Sequence, residues 1–262
     1  MWIPTRTVWR RILTTLLLGL GLVQPERAGA LDLAVVPVRI HLSPTKRSTM
    51  LPVTNPNTEP MTVQASVFAW SQTLPGGDTL EPSQDLLVFP QIFAIKPGAS
   101  RNLRVGTTQA SRGTERAFRI LLEPIQPPPT PSGEAPGQRT ASMTVITRAS
   151  IPVFLQPSTP VTAPLSVALR VGQGQLLVEM TNPGTVYTPP QGLTIKGYAG
   201  DDLVLEGETR SWYVLAGSLR TQTINVPRET CLALSRLVVE VRSGDRASEY
   251  AVPVSPDHCS SP

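Results

Sequence analysis

STMLPVTNPNTEPMTVQASVFAWSQ, residues 48–72, decides the fold. In its second half Val63, Ala65, Val67 and Ala69 fall on one parity, and Gln64, Ser66 and Phe68 on the other. A period of two belongs to a strand with one buried face; a helix would repeat its apolar positions every three or four residues. Between the two apolar runs, Asn55-Pro56-Asn57 supplies turn chemistry, because Pro fixes φ and Asn bonds its own backbone and tolerates left-handed conformations. The stretch predicts two strands around a turn.

The same pattern extends in both directions. LAVVPVRIHLSP (33–44) reads as an apolar first strand carrying Arg39, and LLVFPQIFAIKPGASRNLRVGTT (86–108) as two strands around Lys96-Pro97-Gly98. AFRILLEPI (117–125) and ASMTVITRASIPVFLQP (141–157) read as one strand each, separated by QPPPTPSGEAPGQRT (126–140), which is too poor in apolar residues to order itself. QPSTPVTAP (156–164) marks a domain boundary, because its prolines limit both pairing and flexibility. Six or more strands are predicted beyond it, beginning with a hairpin around Gly172 to Gly174. With 28 prolines and 19 glycines in 262 residues, long helices are excluded. The expected class is all-β: two β-sandwich domains in tandem, over 31–157 and 158–262.

Residues 1–30 are set aside as a cleaved secretory signal. Arg6, Arg10 and Arg11 precede the short apolar run Ile12–Val23, and Ala28-Gly29-Ala30 forms a small-residue cleavage site, leaving Leu31 as the expected mature start. Removing this leader, with four arginines and Glu26, lowers the formal charge from +4 to +1. So the basic balance lies mostly in the targeting signal, and no nucleic-acid partner is implied. Cys231 and Cys259 are the only cysteines, and export to an oxidising compartment favours a disulfide between them.

Enzyme chemistry is not written in this chain. The two histidines, His41 and His258, fall in different predicted domains without the local context of a catalytic triad. His258-Cys259 offers too few ligands for zinc, and Asp201-Asp202, Glu206 and Glu208 read as turn and solvated-strand acids. No phosphate-binding or dinucleotide fingerprint occurs, so neither nucleotide, metal nor other cofactor is implied.

Three segments carry a family resemblance: FAIKPGASRNLRV (93–105), ERAFRILLEPIQPP (115–128) and TNPGTVYTP (181–189). The first has an apolar-basic-Pro-Gly turn followed by Arg-Val. In the second, Glu115, Phe118, Ile120, Leu122, Pro127 and Pro128 fill the pattern, and in the third Asn182, Pro183 and Tyr187 do. Together they resemble the periplasmic chaperones of the chaperone–usher pathway, and SIPVF (150–154) resembles their divergent archaic, spore-coat-like branch. The resemblance implies two immunoglobulin-like domains in a boomerang and a non-enzymatic role. Such a chaperone lends an edge strand to an incomplete pilin-like subunit by donor-strand complementation, then passes it to an outer-membrane usher.

Under that resemblance 141–157 contains the donor strand, with Met143, Val145 and Thr147 facing the subunit groove; Thr147 is a weak plug, and a bulge would shift the parity onto Ile146. Arg39 occupies the first of two basic positions that anchor the subunit's C-terminal carboxylate. The second, commonly lysine, is Pro152 here, and Arg148 is the nearest basic residue on the strand. Glu115 matches an interdomain ionic network whose donor-strand arginine is replaced by Gln156. The exposed apolar edge also allows a self-capped homodimer. The competing reading is a secreted two-domain adhesin or carbohydrate-binding module, with Trp70 and Trp212 as its aromatic platform.

Overall fold

The structure, a computed structural model, describes residues 30–73, 77–125, 145–189, 191–243 and 246–259. The leader up to residue 29, the loop 126–140 and the expected groove residue Met143 lie outside them. In chain order the first strands are β1 (Ala30–Leu31), β2 (Ala34–Val35), β3 (Ile40–Leu42), β4 (Ser48–Thr54), β5 (Met61–Thr73) and β6 (Gly77–Pro82). They are followed by β7 (Leu87–Phe89), β8 (Ile92–Ile95), β9 (Ser100–Gly106), β10 (Arg116–Ile125), β11 (Val145–Ile146) and β12 (Ala149–Leu155). The remainder comprises β13 (Ser166–Gly172), β14 (Gln175–Thr181), β15 (Gly192–Ala199), β16 (Asp202–Arg210), β17 (Leu219–Asn225), helix α1 (Arg228–Ala233), β18 (Arg236–Ser243) and β19 (Arg246–Pro253).

The chain divides into two units. In the smaller one, β1 and β11 pair in parallel, Ala30 with Val145 and Leu31 with Ile146. The larger one, residues 32–128 and 147–262, holds two immunoglobulin-like sandwiches. One has a sheet ordered β3-β12-β10-β5-β6, with β8 also on β5, and a second ordered β2-β4-β9-β7. The other pairs β13-β14-β17 with β16-β15-β18-β19.

The period-two reading holds over the first half of β5 and lapses in the second, where Val67 and Ala69 are only half-buried and Trp70, on the other parity, is buried. Val63 and Ala65 of β5 are buried, as are Phe118, Ile120 and Leu122 of β10 and Leu51 and Val53 of β4. The Lys96-Pro97-Gly98 turn needs its glycine, at φ 65°, and the Gly98 N–H donates to the Asn55 carbonyl at 2.9 Å. In the second core Leu176, Val178 and Met180 meet Leu193, Ile195, Leu237 and Val239. The Cys231–Cys259 disulfide forms there, with Cα atoms 5.7 Å apart, fastening α1 to the 3-10 turn Pro256–Cys259.

Prolines explain where the structure departs from the expected strands. The single first strand is two: Pro37 has no N–H to give a ladder, and the chain leaves β4 at β2 to join β12 at β3. Pro90 likewise divides the stretch after Leu86 into β7 and β8, so residues 86–108 form three strands. The continuous strand expected over 141–157 is interrupted at Thr147-Arg148. An unforeseen helix, α1, starts after Pro227, whose φ of −54° suits a helix entry.

Candidate functional site

Alternation along three strands builds one outward face. On β10 the flanking Phe118 and Ile120 are buried in the core, which turns Arg119 to the opposite side. Arg119 is directly opposite Pro152 of β12. On the far side of β12, Ile40 pairs with Val153, so Arg39, one residue ahead of Ile40, is level with Pro152. Ile40 and Leu42 are buried, so Arg39 and His41 take the outward parity. Arg39, Pro152 and Arg119 thus form one lateral row, the arginine backbones two strand spacings or about 10 Å apart.

Aromatic rings pack against this row. The Arg119 guanidinium lies 3.8 Å from the Trp70 ring centroid and 5.6 Å from that of Trp212, and its Nη1 donates to Ser150 Oγ at 3.3 Å. Burial lowers its pKa, a cost that the two ring faces offset while it remains a cation. Arg39 Nη1 donates to the Tyr187 hydroxyl at 3.0 Å, and its guanidinium stands 5.7 Å from the Tyr213 ring. That hydrogen bond raises the Arg39 pKa. Tyr187 stacks on Phe154 at 3.8 Å and 14°. Among the described residues neither arginine has a carboxylate partner, although Arg119 is buried and Arg39 half-buried.

Tyr187 is placed by the Asn-Pro motif ahead of it. Asn182 is fully buried: its Nδ2 donates to the carbonyls of Val186 and Val214, and its Oδ1 accepts from the Gly184 N–H. A Cβ at Gly184 would lie 2.8 Å from the Val161 carbonyl, so only glycine lets the loop close. The opposing strand contributes Gln72, whose Nε2 donates to the Tyr213 carbonyl at 2.8 Å while its Oε1 accepts from the Leu215 N–H at 2.9 Å. Glu115 accepts from the Tyr187 N–H through Oε1 at 2.9 Å. Its Oε2 is buried without a partner among the described residues, and burial pushes the carboxyl up to about 7.

The remaining expected site residues lie apart from the row. Arg148 is exposed and pairs with Glu123 at 2.6 Å, four residues and about 13 Å of strand away from the level of Pro152. Thr147 is exposed and outside any strand, and Val145 lies in β11. Trp70, half of the supposed aromatic platform, is buried beneath Arg119, leaving only Trp212 substantially exposed. Sequence reasoning missed Arg119, Gln72 and Tyr213. Arg119 had a visible signal, a lone cation inside the apolar run FRILL, but its nearness to Arg39 depends on register between strands.

Residues 32–160 match the family of pili and flagellar-assembly chaperones, PapD N-terminal domain. Residues 32–160 thus carry the N-terminal domain of that chaperone family. Its fold is shared with a chain of the CsuC–CsuE chaperone–tip adhesion subunit pre-assembly complex from archaic chaperone–usher Csu pili of Acinetobacter baumannii. The identity is 19%, 84% of this chain and 97% of that one are covered, and the TM-score is 0.55. A chain of the Salmonella enterica SafA pilin–SafB chaperone complex aligns at 16% identity over 85% of this chain and 97% of its own, with a TM-score of 0.52. The E. coli chaperone DraB aligns at 16% identity over 87% and 98%, with a TM-score of 0.50. At such identities these likenesses show the fold. No curated protein sequence matches this chain.

Proposed function

We propose that this protein is a periplasmic, non-enzymatic chaperone of the archaic branch that binds pilin-like subunits by donor-strand complementation and delivers them to an outer-membrane usher. The observation that carries this reading is an unpaired edge beside an unpaired row of cations. β3 covers only Val153–Leu155 of β12, so along Ala149–Ile151 the side of β12 away from β10 has no strand among the described residues. An open strand edge offers a ladder to an incoming chain, and alternate side chains fill that chain's groove.

The row beside this edge suits the end of such a chain. A C-terminal carboxylate has two oxygens, and two guanidinium groups flanking Pro152 supply its counter-charge. In this reading Arg39 is the first anchor and Arg119, reaching from the neighbouring strand, replaces the cation absent at Pro152. Arg148, neutralised by Glu123, has no part in the anchor. Met143, Val145 and Thr147 remain the groove-facing set, the short Thr147 leaving room for a better-fitting strand to displace the chaperone at the usher.

The test is co-expression of the mature chain with pilin-like subunits encoded in neighbouring reading frames. The expected result is a soluble one-to-one complex, lost with Val145→Asp and with Arg39→Ala. Capture that survives both substitutions would sink this reading. Light scattering on the free chain reports whether the open edge also pairs two copies.

A further inference from the structure

We propose that Glu115 is a proton-dependent positioning residue for Arg39, acting through Tyr187. The inference rests on the carboxylate-anchoring role proposed for Arg39, and its first test needs no subunit.

The geometry is a three-residue relay between the two sandwiches. The Glu115 N–H donates to the Thr185 carbonyl at 2.8 Å, and Glu115 Oε1 accepts from the Tyr187 N–H at 2.9 Å. Tyr187, clamped by its stack on Phe154, accepts the Arg39 Nη1–H at 3.0 Å. Glu115 therefore fixes the backbone of the residue whose hydroxyl aims Arg39. Its second oxygen makes the relay sensitive to protons. Oε2 is buried without a hydrogen-bond partner among the described residues.

Other charged groups near Glu115 are accounted for. On its own segment Arg116 is held by Asp85, and Arg112 is exposed. The C-terminal sandwich presents Tyr187, whose pKa is raised mainly by burial. Beside β12 stand Arg39, bound to the Tyr187 hydroxyl, and His41, whose ring nitrogen lies 3.4 Å from that hydroxyl. Burial, then Arg39 and Lys46, lower the His41 pKa below its ordinary value.

The sign follows from linkage. A buried carboxyl that titrates near 7 binds its proton more tightly in the closed junction than in water, so protons favour the closed arrangement. That stabilisation is complete below the ordinary carboxylate range and is lost as pH rises through about 7. Ionisation then draws water to Oε2 and opens the junction around Tyr187, outweighing the stronger bond that the carboxylate accepts from the Tyr187 N–H, and Arg39 loses its aim.

NMR on the free chain decides the matter. The Glu115 carboxyl carbon is expected to titrate near 7, and the Arg39 Nε resonance to shift with the same midpoint. In Glu115→Gln the Arg39 shift should vanish. In Tyr187→Phe it should vanish while Glu115 still titrates near its wild-type midpoint, a separation that a merely structural carboxyl would not produce. An Arg39 resonance that is static between pH 6 and 8.5 in wild type, or that still moves in Tyr187→Phe, would overturn the relay. A second arm measures capture of the co-expressed pilin-like subunit, expected to weaken by up to about tenfold from pH 6 to 8.5 in wild type and to stay flat in Glu115→Gln. Equal slopes in both overturn the link to binding. Absence of capture at every pH overturns that link together with the chaperone reading, while the resonance arm still decides the relay.

Discussion

The two sandwiches treat their cations differently. In the C-terminal one, Arg170 pairs with Glu179, Lys196 and Arg242 with Glu240, and Arg236 with Asp201, around a core closed by the Cys231–Cys259 bridge. In the N-terminal one, Arg116 and Arg148 are likewise paired, with Asp85 and Glu123, but the two cations of the Pro152 row have no carboxylate partner among the described residues and are held by rings and by one hydroxyl each. Surface ion pairs contribute little to stability, so the C-terminal arrangement marks a self-contained support. A buried cation without its counter-charge is costly. On the function proposed above, the C-terminal sandwich is the support and the N-terminal one the receiver.

Substitutions can break that contrast, beginning with the largest effect. Arg39→Ala should weaken subunit capture by at least about thirtyfold, the lower end of the 2–5 kcal/mol range for removing one partner of a buried charge pair, as read from complex yield and titration calorimetry. Replacing Cys231 and Cys259 by serine should do the converse. Unfolding of the C-terminal sandwich moves to lower urea by about 2–4 kcal/mol, with capture retained in the cold. Should the cysteine variant lose capture in the folded state, the division of labour is wrong.

Arg119→Met keeps an apolar side chain against Trp70 and should weaken capture about tenfold, or 1.4 kcal/mol, with Arg119→Lys recovering part of it. Glu115→Gln sharpens the account through stability. The wild-type carboxyl is raised to about 7, so its protonated form supports the fold at acid pH and that support fades through neutrality. The variant should therefore melt with wild type at pH 4 and later than wild type at pH 8.5, by a few degrees at about 2–4 °C per kcal/mol. Arg148→Ala, breaking only an exposed pair with Glu123, should change capture less than about twofold.

The sequence revealed whatever depends on local period and composition. The alternation of Val63 and Ala65 against Gln64 and Ser66 marked a half-buried strand, and the only two cysteines found each other. Asn182-Pro183 and Tyr187 stood out by pattern, and the structure shows why: a buried amide pins the loop that carries the ring. Arg119, the proposed second cation, was illegible because it lies across the sheet. Read along the chain, Arg148 is the basic residue nearest to Pro152 on its own strand, whereas Arg119 is 33 positions away and meets Pro152 only through the β10–β12 register. Breaks at Pro37 and Pro90 were hard to place for a related reason, since a proline tells where a ladder loses a donor but not which sheet receives the chain next.

The most direct measurement is a double-mutant cycle at the carboxylate. The captured subunit is prepared with its native C-terminus and with a short Gly-Ser extension that moves the carboxylate away, and each form is titrated against wild type, Arg39→Ala and Arg119→Met. The account predicts that the extension weakens binding to wild type and has little further effect in either variant. An extension that costs the same in all three proteins would show that the carboxylate does not sit between Arg39 and Arg119, and would contradict the central claim.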